Sequence, residues 1–256
     1  MTTAAADLAR LAIEGRVATI TLNRPEQRNA LSLDLLTALS QRVREVGETE
    51  GVTVCLISGA GKSFCAGMDL KAVLDVPGAP ARLLTLIAEV THAVRNLPMV
   101  TVAKVNGAAI GGGCGLACVC DLGVTTPDAK LGYPEVDLGV CPAVVAPWLI
   151  KKIGAGQARR VLLEGGVMSG RRAHELGLVT HLAPDENSLD ETTRAVVDRI
   201  ARGGQMALHT TKRWLNELDG STDLDLLRRG AELSARVVES DEARTTLRAM
   251  FSKNAR

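Results

Sequence analysis

The chemistry that this 256-residue chain could perform is carried first by backbone, at two glycine-bearing loops. Ser63-Phe64-Cys65-Ala66-Gly67 follows one apolar, β-branched run. Asn106 to Gly113 follows another, with Gly107, Gly111, Gly112 and Gly113 able to bring main chain close to a ligand. If the second cluster opens a helix that runs to Cys118, its first N–H groups have no intrahelical acceptor. The positive end of the helix dipole then points outward, which suits a developing oxyanion. Close helix packing through glycine accounts for the same spacing equally well, so residue types alone leave both readings open.

Other motifs fail on inspection. Gly59-Ala60-Gly61-Lys62-Ser63 looks like the end of a phosphate-binding loop, but the glycine that motif needs at position 56 is Leu56. The runs at 111–115 and 154–156 each lack the last glycine of a dinucleotide fingerprint, where Leu116 and Arg159 stand. Cys114, Cys118 and Cys120 have no nearby histidine and fall in a predicted buried helix, so they read as structural thiols and no metal is expected. His92, His174, His181 and His209 stand on separate elements and receive no chemical role. Neither a GxSxG elbow nor an HExxH pair is present.

The elements that must position the loops alternate. Val17 to Leu22 is β-branched with period two, and Asn23-Arg24-Pro25-Glu26 ends it, which predicts a strand. After Ser32, a predicted N-cap, Leu35, Leu36, Leu39, Val43 and Val46 recur at helical spacing. A strand over 52–58, a glycine-rich loop over 59–67, a helix carrying Leu83, Leu84, Ile87, Val90 and Val94, and a strand over 100–105 follow. Strands separated by helices imply βαβ crossovers. Beyond about residue 143 strand signals are sparse. Helices are predicted over 147–152, 157–163, 171–176, 188–201, 206–218, 224–238 and 241–251. The expected organisation is a core over 1–200 and a helical region over 201–256.

Composition removes whole classes. With 46% hydrophobic and 23% charged residues the chain reads as globular. Thirty basic against twenty-nine acidic residues give +1, which leaves no overall field toward nucleic acid or an anionic membrane. Aromatics at 2% supply no stacking platform for bases or sugars. The longest apolar stretch, Gly107 to Cys120, is shorter than the roughly 18 residues of a membrane span. Cysteines in apolar runs, with no signal peptide ahead of them, point to reduced thiols and a cytoplasmic location.

Five segments, taken in order, carry a resemblance: Asn23-Arg24-Pro25, Asn29-Ala30-Leu31, Ser58 to Lys71, Asn106-Gly107 with Gly111-Gly112-Gly113, and Cys120-Asp121. Together they resemble the enoyl-CoA hydratase/isomerase (crotonase) superfamily. The resemblance implies an α/β fold, a crotonase-like spiral of ββα repeats, with C-terminal helices used in trimerisation and a homotrimer or hexamer. It implies an acyl-CoA thioester as substrate, coenzyme A being part of that substrate, and no separate cofactor. The thioester carbonyl would be held by two backbone N–H groups, which match Ala66 and Gly112. Ala66, Gly67, Met68, Asp69 and Gly112 would bind the CoA thioester. Glu135, in Gly132-Tyr133-Pro134-Glu135-Val136, matches a catalytic carboxylate.

The chain departs from the pattern at Gly115, where hydratases of the family carry a second glutamate. A lone Glu135 suits the transfer of one proton, as in 3-enoyl to 2-enoyl isomerisation. The segment Cys141-Pro142-Ala143-Val144-Val145-Ala146-Pro147 is similar to hydratases of branched or carboxylated enoyl-CoAs, so hydration of a 2-enoyl-CoA leads. Isomerase and non-catalytic acyl-CoA carrier are the alternatives. The acyl-pocket wall is expected from 70–80 and 140–145.

Overall fold

The computed structural model describes residues 7–253; residues 1–6, the start of the stretch read as carrying no signal peptide, lie outside the described residues. Strands β1 (Ala9–Glu14), β2 (Val17–Leu22), β3 (Val54–Gly59), β5 (Val100–Val105), β7 (Leu122–Thr125) and β10 (His181–Leu182) form one sheet in the order β1-β2-β3-β5-β7-β10. Only β1 is antiparallel to its neighbour. Strands β4 (Ser63–Cys65), β6 (Ala108–Ile110), β8 (Lys130–Gly132) and β9 (Val167–Ser169) form a second sheet, β4-β6-β8-β9, whose first three strands are parallel.

The path between the sheets is regular. The chain places β3 in the first sheet and β4 in the second, then makes helices α2 (Leu70–Val73) and α3 (Ala79–Arg95). It repeats the step with β5, β6 and α4 (Gly112–Val119), and again with β7, β8 and α5 (Ala146–Glu164). These turns are the ββα spiral of the crotonase fold. The βαβ expectation is corrected accordingly, because each crossover carries an additional strand. Those strands are three residues long, each with a glycine in it or within two residues of its ends, too short to show alternation.

Local chemistry accounts for the longer elements. In β2, Ala18, Ile20 and Leu22 are fully buried while the intervening residues are half-buried. Helix α1 (Leu33–Glu48) is capped by Ser32, whose side chain accepts from the Leu35 N–H at 3.2 Å, and its leucines and valines enter the core. Each such leucine contributes about 2 kcal/mol by burial. Helix α7 (Leu189–Ala201) covers the opposite face of the large sheet, with Leu189 and Val197 against Val54, Val102 and Val124.

Several expectations are revised by the fold. The predicted helices over 147–152 and 157–163 are the two halves of α5, separated at Gly154, whose backbone (φ 79°, ψ 155°) is not helical. Cys120 lies just past α4 in extended backbone and is not part of that helix. Strands β9 and β10 fall in the gaps between the predicted helices, where strand signals are sparse, and β1 is a further strand that the sequence pattern does not mark.

The remaining helices are α6 (Gly170–Glu175), α8 (Gln205–Leu218), α9 (Leu224–Val238) and α10 (Asp241–Lys253). Helix α9 lies against α3 and buries Leu227, Ala231 and Ala235. Helix α10 places Leu247 in a cluster with Leu74, Val140 and Val238, and Met68, Leu70, Leu138 and Phe251 pack against it. The helical region therefore shares a core with the residues that carry the two loops.

On α8 the buried residues are polar. Lys212 Nζ lies 2.8 Å from Asp121 and donates to the Met99 carbonyl at 2.9 Å, and Asn216 donates to the Arg95 carbonyl at 3.0 Å. Burial depresses the Lys212 ammonium below the usual lysine range. It also opposes the charge on Asp121, but Lys212, Thr101 and Arg95 together outweigh it and hold that carboxyl below its usual range. No described helix is long and apolar enough to cross a membrane.

Candidate active site

Two asparagines fasten the first loop. Asn29, fully buried and in left-handed backbone with φ 56°, accepts from the Arg24 N–H at 2.8 Å. Its amide donates to the carbonyls of Ala60 at 3.0 Å and Ser63 at 2.8 Å. Asn106 donates to the carbonyls of Gly59 at 2.7 Å and Gly61 at 2.9 Å. Both asparagines belong to the motif segments, and their role is not legible in residue type. What they supply is satisfaction of backbone groups in a loop with little ladder of its own.

The loop then runs beside α4. Gly67 has φ 92°, and a Cβ there would lie 2.6 Å from the Ile110 carbonyl, so only glycine admits this approach. Leu31 forms an isolated bridge with Met68. Its N–H donates to the Gly67 carbonyl at 2.7 Å and its carbonyl accepts from Asp69 at 3.0 Å. The Asp69 carboxylate is held by Arg24 at 3.2 Å. Its visible role is to fix the loop, while its assignment to CoA binding stands as an expectation.

This geometry corrects one residue. The Ala66 N–H donates to the Arg28 carbonyl at 3.0 Å, so it is already spent. Among the described residues the Met68 N–H meets no acceptor, and it lies near Gly112: the Cβ position over Gly112 is 4.0 Å from Met68 N. The Gly112 N–H begins α4 and has no acceptor within that helix. Met68 and Gly112 are therefore the pair of open donors. Ala66 and Gly67 line the same cavity.

Glu135 reaches this point from β8. The Gly111 N–H donates to the Gly132 carbonyl at 2.8 Å, joining β6 to β8 next to α4. Tyr133, fully buried, donates from its hydroxyl to Cys118 Sγ at 3.2 Å, and Glu135 follows two residues on. Gly111 (φ 53°) leaves the space the carboxyl uses, since a Cβ there would lie 2.8 Å from Glu135 Oε1. Oε2 is buried with no hydrogen-bond partner. Burial pushes the Glu135 carboxyl up from 4.5 to about 7, opposed by its own backbone N–H.

These groups open on a cavity of about 90 Å³ whose other walls are apolar, including Leu84 and Ile87 of α3, Leu138, Val140, Val144 and Val145. The wall expected from 140–145 is present. From 70–80 only Leu70 takes part, and α3 supplies what that segment does not. A Cβ on Gly115 would lie 2.5 Å from Val145 Cγ1, so Val145 fills the place over Gly115 and the second carboxylate position is apolar. Among the described residues no cluster of three potential metal ligands occurs. Cys114, Cys118 and Cys120 are buried away from the cavity, and burial pushes the Cys120 thiol up to about 12. None of the four histidines lines the cavity: His92 faces the Thr222 carbonyl, while His174 and His181 lie near each other and bond locally to the Val179 carbonyl and the Thr180 hydroxyl.

A two-sheet ββα spiral that sets paired backbone donors and one buried carboxyl on an apolar cavity defines the crotonase class. The chain belongs to the enoyl-CoA hydratase/isomerase family, whose pattern matches residues 12–253. It is similar to the crotonyl-CoA hydratase of Syntrophomonas wolfei, at 33% identity over 83% of this chain and 82% of that protein. A crystal structure of an enoyl-CoA hydratase from Mycobacterium avium is 32% identical with a TM-score of 0.85, covering 96% of each chain. An enoyl-CoA hydratase from Bacillus halodurans shares the fold at a TM-score of 0.87 and 24% identity, over 94% of this chain and 99% of that one.

Proposed function

We propose that this enzyme adds water across the C2=C3 bond of a 2-enoyl-CoA thioester. The N–H groups of Met68 and Gly112 hold the thioester oxygen, and Glu135 moves the proton. Ionised Glu135 takes a proton from water as the water oxygen bonds to C3, and the C2=C3 electrons pass onto the thioester oxygen as an enolate. The protonated carboxyl then returns its proton to C2 and the carbonyl re-forms. Each donor to the enolate oxygen contributes about 10²–10³ in rate.

The observation that carries this reading is Glu135, among the described residues the one acid lining the cavity, raised to about 7 beside the open donors. A group with that value supplies both base and acid near neutrality. The test is loss of enoyl absorbance from crotonyl-CoA on addition of the purified chain, with the 3-hydroxyacyl-CoA as product. A second reading, 3-enoyl to 2-enoyl isomerisation, is favoured by Val145 seated over Gly115, because a single base shuttling one proton from C2 to C4 needs no second carboxylate. Rapid 3-enoyl-CoA conversion with negligible hydration would replace hydration by isomerisation.

A further inference from the structure

We propose that the site selects a short, uncharged acyl group of about four carbons, and that Val145, backed by Gly115, is the residue that sets this limit. The proposal rests on the reading of the cavity as the acyl-thioester site and adds which acyl groups enter it.

Charge is decided by the walls. Among the described residues no lysine, arginine or histidine lines the cavity, and its only ionisable acid is Glu135. A second carboxylate on the acyl chain would be desolvated without a counter-charge and held near a like charge, and both effects oppose binding. This separates the chain from the carboxylated substrates that the 141–147 segment suggested by resemblance.

Length is decided by volume and by what stands behind the wall. A cavity of about 150 Å³ accommodates benzene, with six carbons; about 90 Å³ holds fewer. Val145 is 1% exposed and caps the start of α5, so its backbone is fixed there: its N–H donates to the Pro142 carbonyl at 3.2 Å and its carbonyl accepts from Leu149 at 3.3 Å. On its far side Cγ1 lies against Gly115 of the buried helix α4, so close that a Cβ on Gly115 would come within 2.5 Å of it. A longer chain cannot push Val145 toward α4. The glycine at 115 and the valine at 145 therefore act as one unit: the missing side chain admits the valine, and the valine closes the end of the pocket.

The test compares crotonyl-, 2-hexenoyl-, 2-octenoyl- and glutaconyl-CoA with the full chain and with Val145→Ala, by kcat/KM from loss of enoyl absorbance. One misfitting methylene costs at least about 10-fold. The wild type is expected to prefer crotonyl- over octenoyl-CoA by at least about 10-fold and to reject glutaconyl-CoA. In Val145→Ala the octenoyl-to-crotonyl ratio is expected to rise about 10-fold. Equal use of crotonyl- and octenoyl-CoA, an unchanged ratio in the variant, or a preference for glutaconyl-CoA overturns the proposal. Titration calorimetry with butyryl-, octanoyl- and glutaryl-CoA reads the same order from binding. If no substrate is hydrated but butyryl-CoA binds tightest, the acyl limit stands and the hydration reading falls. If Val145→Ala does not fold, Val145→Thr, which keeps the volume and adds a hydroxyl, is expected to weaken butyryl-CoA binding, and unchanged affinity would count against the wall.

Discussion

Replacing Glu135 by glutamine separates what the carboxyl does for catalysis from what it costs the fold. The carboxyl has an ordinary value of 4.5 and is raised by burial to about 7. A raised carboxyl favours the neutral form in the folded state. Its contribution to stability is therefore full below pH 4.5 and is lost as pH rises from 4.5 through about 7. At 1.36 kcal/mol for each factor of ten, the gap amounts to about 3 kcal/mol at pH 8, an upper value because water entering the cavity relieves part of the burial. Glutamine has the same shape and does not ionise. The variant should match the wild type near pH 4.5 and be more stable by about 2–3 kcal/mol at pH 8, read from urea unfolding at the two pH values. Catalysis should move the opposite way, with kcat reduced by about 10²–10⁴ and little change in affinity for a saturated acyl-CoA. Wild-type kcat/KM should fall about tenfold between its plateau and pH 6, as the base form is lost below about 7. A fully active glutamine variant would remove Glu135 from the mechanism. A stability difference that is flat with pH would show that the carboxyl is not held up by burial.

Gly115→Glu, which by motif alone restores a second acid, should instead lower stability by about 1–3 kcal/mol through collision with Val145, with no gain in hydration. Pairing it with Val145→Ala should recover much of the stability, measured by thermal unfolding. Asp121→Asn leaves the buried Lys212 ammonium uncompensated and should destabilise by about 3–5 kcal/mol, whereas a loss below about 1 kcal/mol would mean the pair is solvated. Trp214, Leu215, Leu218 and Leu233 are 57%, 54%, 64% and 47% exposed, apolar area of the kind that marks an interface. Sedimentation at micromolar concentration should give a trimer or hexamer, and a monomer would contradict that expectation.

Elements whose packing is written in local periodicity were legible: β2, β5 and α9 have the predicted bounds, and Ser32 caps α1 as expected. The strands of the second sheet were not, because three residues carry no period, and the partners of β4, β6 and β8 lie a full spiral turn away. The motif led to Glu135, but its raised value depends on burial among walls contributed by α3 and by the segment from Leu138 to Val145 ahead of α5. The exchange of Ala66 for Met68 shows a different limit. Which of two nearby N–H groups is open depends on where the Arg28 carbonyl falls, and nothing in residue type records that.

Helix α8 is built inside out. Its inward residues are Lys212 and Asn216, while Met206, Trp214, Leu215 and Leu218 face solvent. Docking of this helix in a single chain is therefore directional, through Asp121 and two carbonyls, but gains little from the hydrophobic effect. The apolar face would add its share only when another copy covers it. Protection of the α8 amides against hydrogen exchange should then rise with protein concentration, while that of β3 and β5 in the sheet interior should not.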